Sequence, residues 1–322
     1  MSAARHTRRL VVAVAATAML CVPACSSTGA HVPSAPKTTR AQPKTNIVSG
    51  TGPATCDPTA SLRPTGPPVV TPGSFMAEIK THGQLIVGVS ASSYHFGYFN
   101  PLDGRIEGFD IDMLHAIADA IFGNPNSMRY VVVPDTLRTK AIQTGEVDIV
   151  AETMTATCKR WRQVDFSSVY LDPAQRVLVQ RNSRATKLTD LVGKRICAGK
   201  PGVTSWDYVV AHMGHTDPPT MAVPAETWAD CLVLLQEDKV DAISTDETIL
   251  DGLMAQDPET KIIGGPLASQ PYGLAISQQH PEFVRFVNAV LAKMRADGQW
   301  AAIYKHWIGT PVPPPPPAHY RD

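Results

Sequence analysis

Residues 84–256 run one strand–helix pattern twice, and that repetition does most to limit what the chain can fold into. Gln84-Leu85-Ile86-Val87-Gly88-Val89 is an almost unbroken apolar run, short enough for a strand and apolar enough to be covered on both faces. Asp110 to Ile121 carries apolar residues at Ile111, Leu114, Ile117, Ala118 and Ile121, the spacing of one helix face. Met128 to Val133 reads as a second strand, Thr136 to Thr144 as a short helix closed by Gly145, and Val147 to Ala151 as a third strand. Strand, helix, strand, helix, strand in that order calls for a parallel sheet with right-handed crossovers. Phe75 to His82 reads as a short amphipathic helix ahead of it.

The pattern then restarts. Leu188 to Val192 is a helical turn, Lys194 to Ala198 a strand, Ser205 to His212 a helix and Pro219 to Val223 a strand. Glu226 to Glu237 is a helix, Val240 to Thr245 a strand and Glu247 to Gln256 a helix. Glu282 to Ala296 and Gln299 to Trp307 are strongly helical. With 322 residues the chain is long enough for two ordinary domains, and 43% hydrophobic residues supply their cores. Two half-sized α/β units in series point to a ligand crevice at the carboxyl ends of their strands. Lys+Arg and Asp+Glu are both 29, a balance that argues against nucleic acid as partner, because a phosphate backbone demands a basic surplus.

The chain's first residues read as a targeting segment. Arg5, Arg8 and Arg9 make a positive start, and Leu10 to Val22 is an apolar run too short for a comfortable membrane span. Val22-Pro23-Ala24-Cys25 resembles a bacterial lipobox, from which it departs at Pro23. The expectation is a signal peptide over residues 1–24, a lipid on Cys25 and a location on the outer face of the cytoplasmic membrane. The alternative is an ordinary secreted protein cleaved nearby. Residues 25–73, rich in Pro, Thr, Ser, Ala and Gly, read as the lipidated cysteine followed by an extended tether. Residues 311–322, with their proline run through Pro317, read as an extended or disordered tail.

Six cysteines are present. Cys21 leaves with the leader and Cys25 takes the lipid. Cys56, Cys158, Cys197 and Cys231 remain, an even number in an oxidising compartment, which points to two disulfides. Three pairings exist. The favoured one joins Cys197 to Cys231 within one unit and Cys56 to Cys158 across the N-terminal extension. Metal and cofactor motifs are missing: there is no CxxC, HExxH, GxSxG or GxGxxG, and Gly193-Lys194-Arg195 lacks the rest of a phosphate loop. No cofactor and no metal are expected.

Several segments, in order, carry a resemblance. They are Gly108-Phe109-Asp110-Ile111-Asp112-Met113; Thr153-Met154-Thr155-Ala156-Thr157 with Arg160 and then Val164-Asp165-Phe166-Ser167 and Tyr170; Asp190-Leu191-Val192-Gly193-Lys194-Arg195 leading into Gly202-Val203-Thr204-Ser205; and Lys239-Val240-Asp241-Ala242 with Asp246. Asp297-Gly298-Gln299-Trp300, Tyr304 and Trp307-Ile308-Gly309 close the series. Together, over residues 75–310, they resemble the family 3, amino-acid-binding solute-binding proteins of ABC transporters, and within it the glutamine- and glutamate-binding lipoproteins. The resemblance implies an α/β, two-lobed, periplasmic-binding-protein-like (type II) clamshell with mainly parallel sheets flanked by helices. It also implies a discontinuous first lobe, residues 74–178 plus 269–310, around a second lobe of residues 179–268. The chain would cross between lobes near Arg176 to Arg181 and near Gly264 to Pro271.

A free amino acid carries a carboxylate and an ammonium on one carbon. Its site needs a planar fork of donors, some neutral donors and one anion. Arg160 is the fork, meeting the carboxylate through two parallel hydrogen bonds. Thr155 offers an N–H and a hydroxyl, with Thr153 beside it. Thr204 stands before the helix from Ser205, where unpaired N–H groups favour anions. Asp246 is placed to take the ammonium. It also sits where it would cap the helix from Glu247, and the two roles are compatible. The resemblance implies that residues equivalent to Arg160, Asp246, Thr155 and Thr204 clamp the ligand's backbone. Phe109 is expected as a wall against the ligand, and Asp110 as the cap of the helix from Ile111.

The side-chain pocket decides specificity. Ser90 stands where a common family version has Asp, which weakens the case for lysine or arginine as ligand. Lys200 sits where the family reaches the ligand side chain, and one extra cation favours an acidic side chain or tolerates an amide. Ser92, Ser93, Tyr94 and His95 are further lining candidates, with Phe96 and Tyr98 packing nearby. The expected ligand is glutamate, aspartate, glutamine or asparagine, bound by a monomer through lobe closure and passed to an ABC permease. A sensor passing closure to a membrane signalling protein is the alternative. A dehydratase on the same fold, with Glu107 or Glu152 as acid or base, is the third reading.

Overall fold

The computed structural model describes residues 56–322. The expected leader over residues 1–24, Cys21, the lipidation candidate Cys25 and the tether up to residue 55 lie outside the described residues.

The elements follow in order. After β1 (Ala60–Ser61), α1 (Phe75–His82) begins at Ser74, whose Oγ accepts from the Ala77 N–H at 3.3 Å. It stops at Gly83, where φ of 80° suits a residue without a Cβ. β2 (Leu85–Val89) leads into a small antiparallel sheet of β3 (Ser92–Ser93), β4 (Gly97–Asn100) and β5 (Arg105–Glu107). Then come α2 (Phe109–Phe122), β6 (Met128–Val132), α3 (Arg138–Gln143), β7 (Ile149–Val150), α4 (Cys158–Trp161) and β8 (Asp165–Phe166). The chain continues through β9 (Ala174–Gln180), a 3-10 turn at Leu188–Leu191, β10 (Arg195–Cys197), α5 (Thr204–Met213) and β11 (Met221–Val223). α6 (Trp228–Gln236), β12 (Ala242–Asp246), α7 (Glu247–Gln256) and β13 (Thr260–Ser269) complete that unit. β14 (Ala275–Ile276), α8 (Pro281–Ala296), α9 (Gln299–Trp307) and β15 (His319–Tyr320) end the chain.

Two five-stranded sheets result, ordered β6-β2-β7-β14-β8 and β11-β10-β12-β9-β13. In the first, β2 runs parallel to β6 and β7, and β14 runs antiparallel to both its neighbours. In the second, β10 runs parallel to β11 and β12, and β9 runs antiparallel to β12 and β13. Each sheet therefore has one reversed strand in an otherwise parallel set, and those strands, β9 and β14, are the ones entered by crossing between lobes. The fold is the expected two-lobed α/β clamshell.

The first crossing falls between Leu171 and Ala174, a few residues ahead of the expected stretch, because β9 already belongs to the second sheet. The return passes Ser269 to Tyr272 beside it: the Gln270 N–H donates to Pro173 O at 2.8 Å and the Tyr272 N–H to Leu171 O at 2.7 Å. The two connections thus lie side by side as a paired ribbon. After the return, α8 and α9 pack on α2, and Phe283, Val287, Leu291 and Trp300 join Phe109, Leu114 and Ile117 in the first lobe's core. The second lobe has its own cores on either face of its sheet, around Trp228, Leu232 and Leu250 and around Val179, Ile196 and Val209.

Both favoured disulfides are present, Cys56–Cys158 and Cys197–Cys231. From Cys56 onward the expected tether is fastened to the first lobe. Ser61 is fully buried and donates to Phe166 O at 2.6 Å, and Asn288 Nδ2 donates to Ser61 Oγ at 2.8 Å. The tail is extended, as its prolines require, but it is also anchored. Arg295 Nε donates to Pro316 O at 3.1 Å, β15 pairs in parallel with β1, and Arg321 meets Asp165 at 3.2 Å while lying over the Trp161 ring. Pro-rich composition announces an extended chain without saying what it lies against. Among the described residues no helix is long and apolar enough to cross a membrane.

Candidate functional site

Three residues expected at the ligand meet where the strands of both sheets end. Thr155 follows β7, Thr204 opens α5, and Asp246 closes β12. Thr155 Oγ1 and Thr204 Oγ1 approach to 3.4 Å across the two lobes, and Thr155 Oγ1 donates to Gln270 Oε1 of the return connection at 2.9 Å. The gap here holds about 10 Å³, roughly the room one water needs. Arg138, Thr153 and Thr155 line it from the first lobe, and Thr204, Trp228 and Asp246 from the second. An amino acid reaches these groups only if the lobes part first.

Asp246 is 4% exposed. It occupies the N-cap position of α7 but makes no capping bond with its side chain. One carboxyl oxygen accepts from Tyr272 OH at 2.7 Å, and the other, Oδ1, is buried with no partner. Burial pushes this carboxyl up to about 7, against the opposing pull of the Tyr272 hydrogen bond, Arg138 and Arg160. A buried carboxyl with a spare oxygen is built to receive a cationic donor.

Arg160 lies on α4, behind Thr155, and is 8% exposed. Thr157 caps that short helix through its hydroxyl, at 3.2 Å from the Arg160 N–H. Arg160 Nη1 donates to Thr155 O at 2.7 Å, so the guanidinium is fixed to the strand end that carries the threonine. Burial, and then the Arg138 charge, hold its guanidinium below the ordinary arginine range, while Asp135, Asp246 and Asp207 pull it back. Arg160 and Asp246 therefore feel each other across the lobes, although Arg160 does not itself line the narrow gap.

Arg138 does line it, and sequence reading missed it. Its Nη1 donates to Glu152 O at 2.7 Å, its Nε to Asp135 O at 2.8 Å, and its Nη1 lies 3.5 Å from Asp135 Oδ1. One signal was available: Arg138 shares the buried face of α3 with Ala141 and Ile142, at i, i+3 and i+4. An arginine in an apolar stripe is a functional candidate. Trp228 and Asp135 were missed as well. Both line the narrow gap and also an adjoining cavity of about 320 Å³, which Ser90, Ser93 and Glu152 share.

The remaining expected residues divide. Ser90 lines the larger cavity, its Oγ accepting from the Ser92 and Ser93 N–H groups at 3.2 Å. Thr153 lines the gap in a left-handed conformation, φ 42°, its N–H held by Asp110 Oδ2 at 2.7 Å. Asp110 is therefore not the cap expected of it: α2 starts two residues earlier, at Phe109 after Gly108, and Asp110 is buried to bind Thr153 and the Tyr170 hydroxyl. Phe109 is not a wall. It has no exposed surface and packs among Phe96, Tyr170 and Trp300, because the first turn of α2 faces the core. Lys200 pairs with Glu226 and lines with it a small pocket that shares Pro134, Asp135 and Glu226 with the larger cavity. The Tyr94 ring lies tilted against His95, with centroids 4.3 Å apart, and lines neither cavity, nor does His95, whose carbonyl accepts from the Phe109 N–H. Glu107 accepts from Asn100 Nδ2 at 2.9 Å, also away from both cavities. Among the described residues no group of three or more His, Cys, Asp and Glu is placed to hold a metal ion.

The family model for bacterial extracellular solute-binding proteins, family 3, matches residues 85–310. The chain belongs to this family. This family 3 protein is 32% identical over 234 residues to the ABC transporter glutamine-binding protein GlnH of Bacillus subtilis (strain 168), a match covering 72% of the chain and 84% of GlnH. It is 28% identical to the glutamate-binding protein GluB of Corynebacterium glutamicum, over 73% of the chain and 81% of GluB. Among solved structures, an ancestral arginine-binding protein bound to glutamine superposes with a TM-score of 0.64 at 30% identity, covering 70% of the chain and 98% of that protein. These relatives are binding proteins by name.

Proposed function

We propose that this protein binds a polar amino acid, one of glutamate, aspartate, glutamine and asparagine, by lobe closure and delivers it to an ABC permease. The observation that carries the reading is Asp246, with a spare buried oxygen, across a closed gap from the guanidinium groups of Arg138 and Arg160. An ammonium and a carboxylate on one carbon match that pair of opposite charges. The similarity to glutamine- and glutamate-binding relatives supports the choice of ligand class. In this reading the signal peptide is removed, Cys25 carries the lipid, and the protein works as a monomer on the outer face of the cytoplasmic membrane.

A micromolar ligand needs about 8 kcal/mol net. A few charge-assisted hydrogen bonds at roughly 1.5–3 kcal/mol each supply this before entropic losses. A thermal-shift screen of the twenty amino acids tests the ligand class, since a ligand that binds the folded state raises the melting temperature. One or more of the four polar amino acids should raise it most. A flat response to all twenty overturns the reading. Co-purification from membranes separates the two downstream roles, a permease supporting delivery and a signalling protein supporting sensing.

A further inference from the structure

Beside the clamp lies the cavity of about 320 Å³, and its charged lining is entirely acidic: Asp135, Glu152 and Glu226. Two of these are answered, Glu226 by Lys200 and Asp135 by Arg138. Glu152 is not. It is 3% exposed, its Oε2 has no hydrogen-bond partner, and its carboxyl meets that of Asp135. The peptide that follows it is pinned through both of its polar groups, since Arg138 donates to Glu152 O and Asp110 accepts from the N–H of Thr153. The side chain stays aimed at the cavity.

On the reading of the site proposed above, we propose that Glu152 sorts ligands by the end of their side chain: it favours a carboxamide over a carboxylate, and admits a carboxylate only with a proton taken up. Two ionised carboxylates facing each other in a buried site repel strongly. A carboxamide has both N–H donors and a carbonyl acceptor, so it pairs with Glu152 in either protonation state. Asp135 faces Glu152 from the segment leading into α3, Arg138 from the first turn of α3, Asp110 from α2, and Glu226 with its Lys200 from across the cavity. Burial first and Asp135 second raise the carboxyl well above the ordinary glutamate range, and Arg138 alone among these opposes them. Parting the lobes returns water to Glu152 and lets it ionise. Closure on an acidic side chain then draws a proton from solvent.

Calorimetry with glutamine and glutamate, across pH and in two buffers of different ionisation enthalpy, reads this directly. Glutamate should bind with about one proton more taken up than glutamine. Above the pKa of Glu152 in the open form, the glutamate-to-glutamine Kd ratio should rise up to about tenfold per pH unit. Glu152→Gln should flatten that ratio. Equal proton counts for both ligands in the unmodified protein, or a pH-dependent ratio that survives Glu152→Gln, overturns the role of Glu152 and leaves the binding reading standing. Binding of none of glutamine, glutamate, asparagine and aspartate overturns both.

Discussion

At the scale of single residues, two buried charges define the site and both are costly to keep. Arg160 is fixed to Thr155 by its own hydrogen bond, so its remaining donors have a defined direction. Replacing it with Ala should cost on the order of 3–5 kcal/mol of ligand affinity, because the ligand's carboxylate would be closed in without its partner. Unchanged affinity by calorimetry would remove Arg160 from the site. Asp246 behaves in the opposite sense for stability. Its carboxyl is raised to about 7 in the folded protein, from 3.8. The sign follows: its contribution to stability is fully present below about pH 4 and is lost as pH rises through 7. Asp110, raised to about 6 by burial, adds a second loss just below it. Asp246→Asn should therefore stabilise the protein above pH 7, on the order of 4 kcal/mol at most, while weakening binding sharply. Melting temperatures at pH 5 and pH 8 check this, and a variant no more stable than the unmodified protein at pH 8 would contradict it.

At the scale of elements, α4 is the piece most in need of support. Four residues make a poor helix on their own, yet this one carries Arg160. Its first residue is Cys158, tied to Cys56, and its last, Trp161, lies under Arg321 and donates to Pro58 O at 2.9 Å. The two ends of the described chain thus brace the helix from outside. Replacing Cys56 and Cys158 together with Ser should lower stability by about 2–5 kcal/mol, since the disulfide closes a long loop, and should loosen ligand binding with it. Denaturant midpoints that do not move would show that the tail alone suffices. The disulfide was legible in the even count of remaining cysteines, but the anchoring of the Pro-rich tail was not. Helices α2, α6, α7 and α8 were legible from the spacing of their buried residues, and strands β2, β6, β10 and β12 as short, largely apolar runs between them. β13 was not: Gly264-Gly265-Pro266 reads as a turn, and the pairing with β9 absorbs it as a register shift between Ile263 and Ala268. β8 and β14 are two residues long, too short to show any period. At the site, Asp246, Thr155 and Thr204 were legible through a family resemblance, whereas Arg138 was hidden inside a helix stripe and Phe109 was misplaced by the same resemblance.

At the scale of the whole molecule, two lobes with separate cores are joined by paired crossings at 171–174 and 269–272. Such a ribbon bends without disturbing either core. The lobes meet tightly where the ligand's charged groups must go, so entry requires opening, and the ligand then bridges both sides. Scattering from solution should show a smaller radius of gyration with a saturating ligand than without it. No change between the two would argue for a rigid site. The central claim is that one residue set grips the ammonium and another the carboxylate of the same molecule. Calorimetry on the best-binding amino acid, its Nα-acetyl derivative and its α-carboxamide tests that directly. Each blocked derivative should lose at least about a hundredfold in affinity, roughly 2.7 kcal/mol; a derivative that binds as well as the parent amino acid would contradict the account.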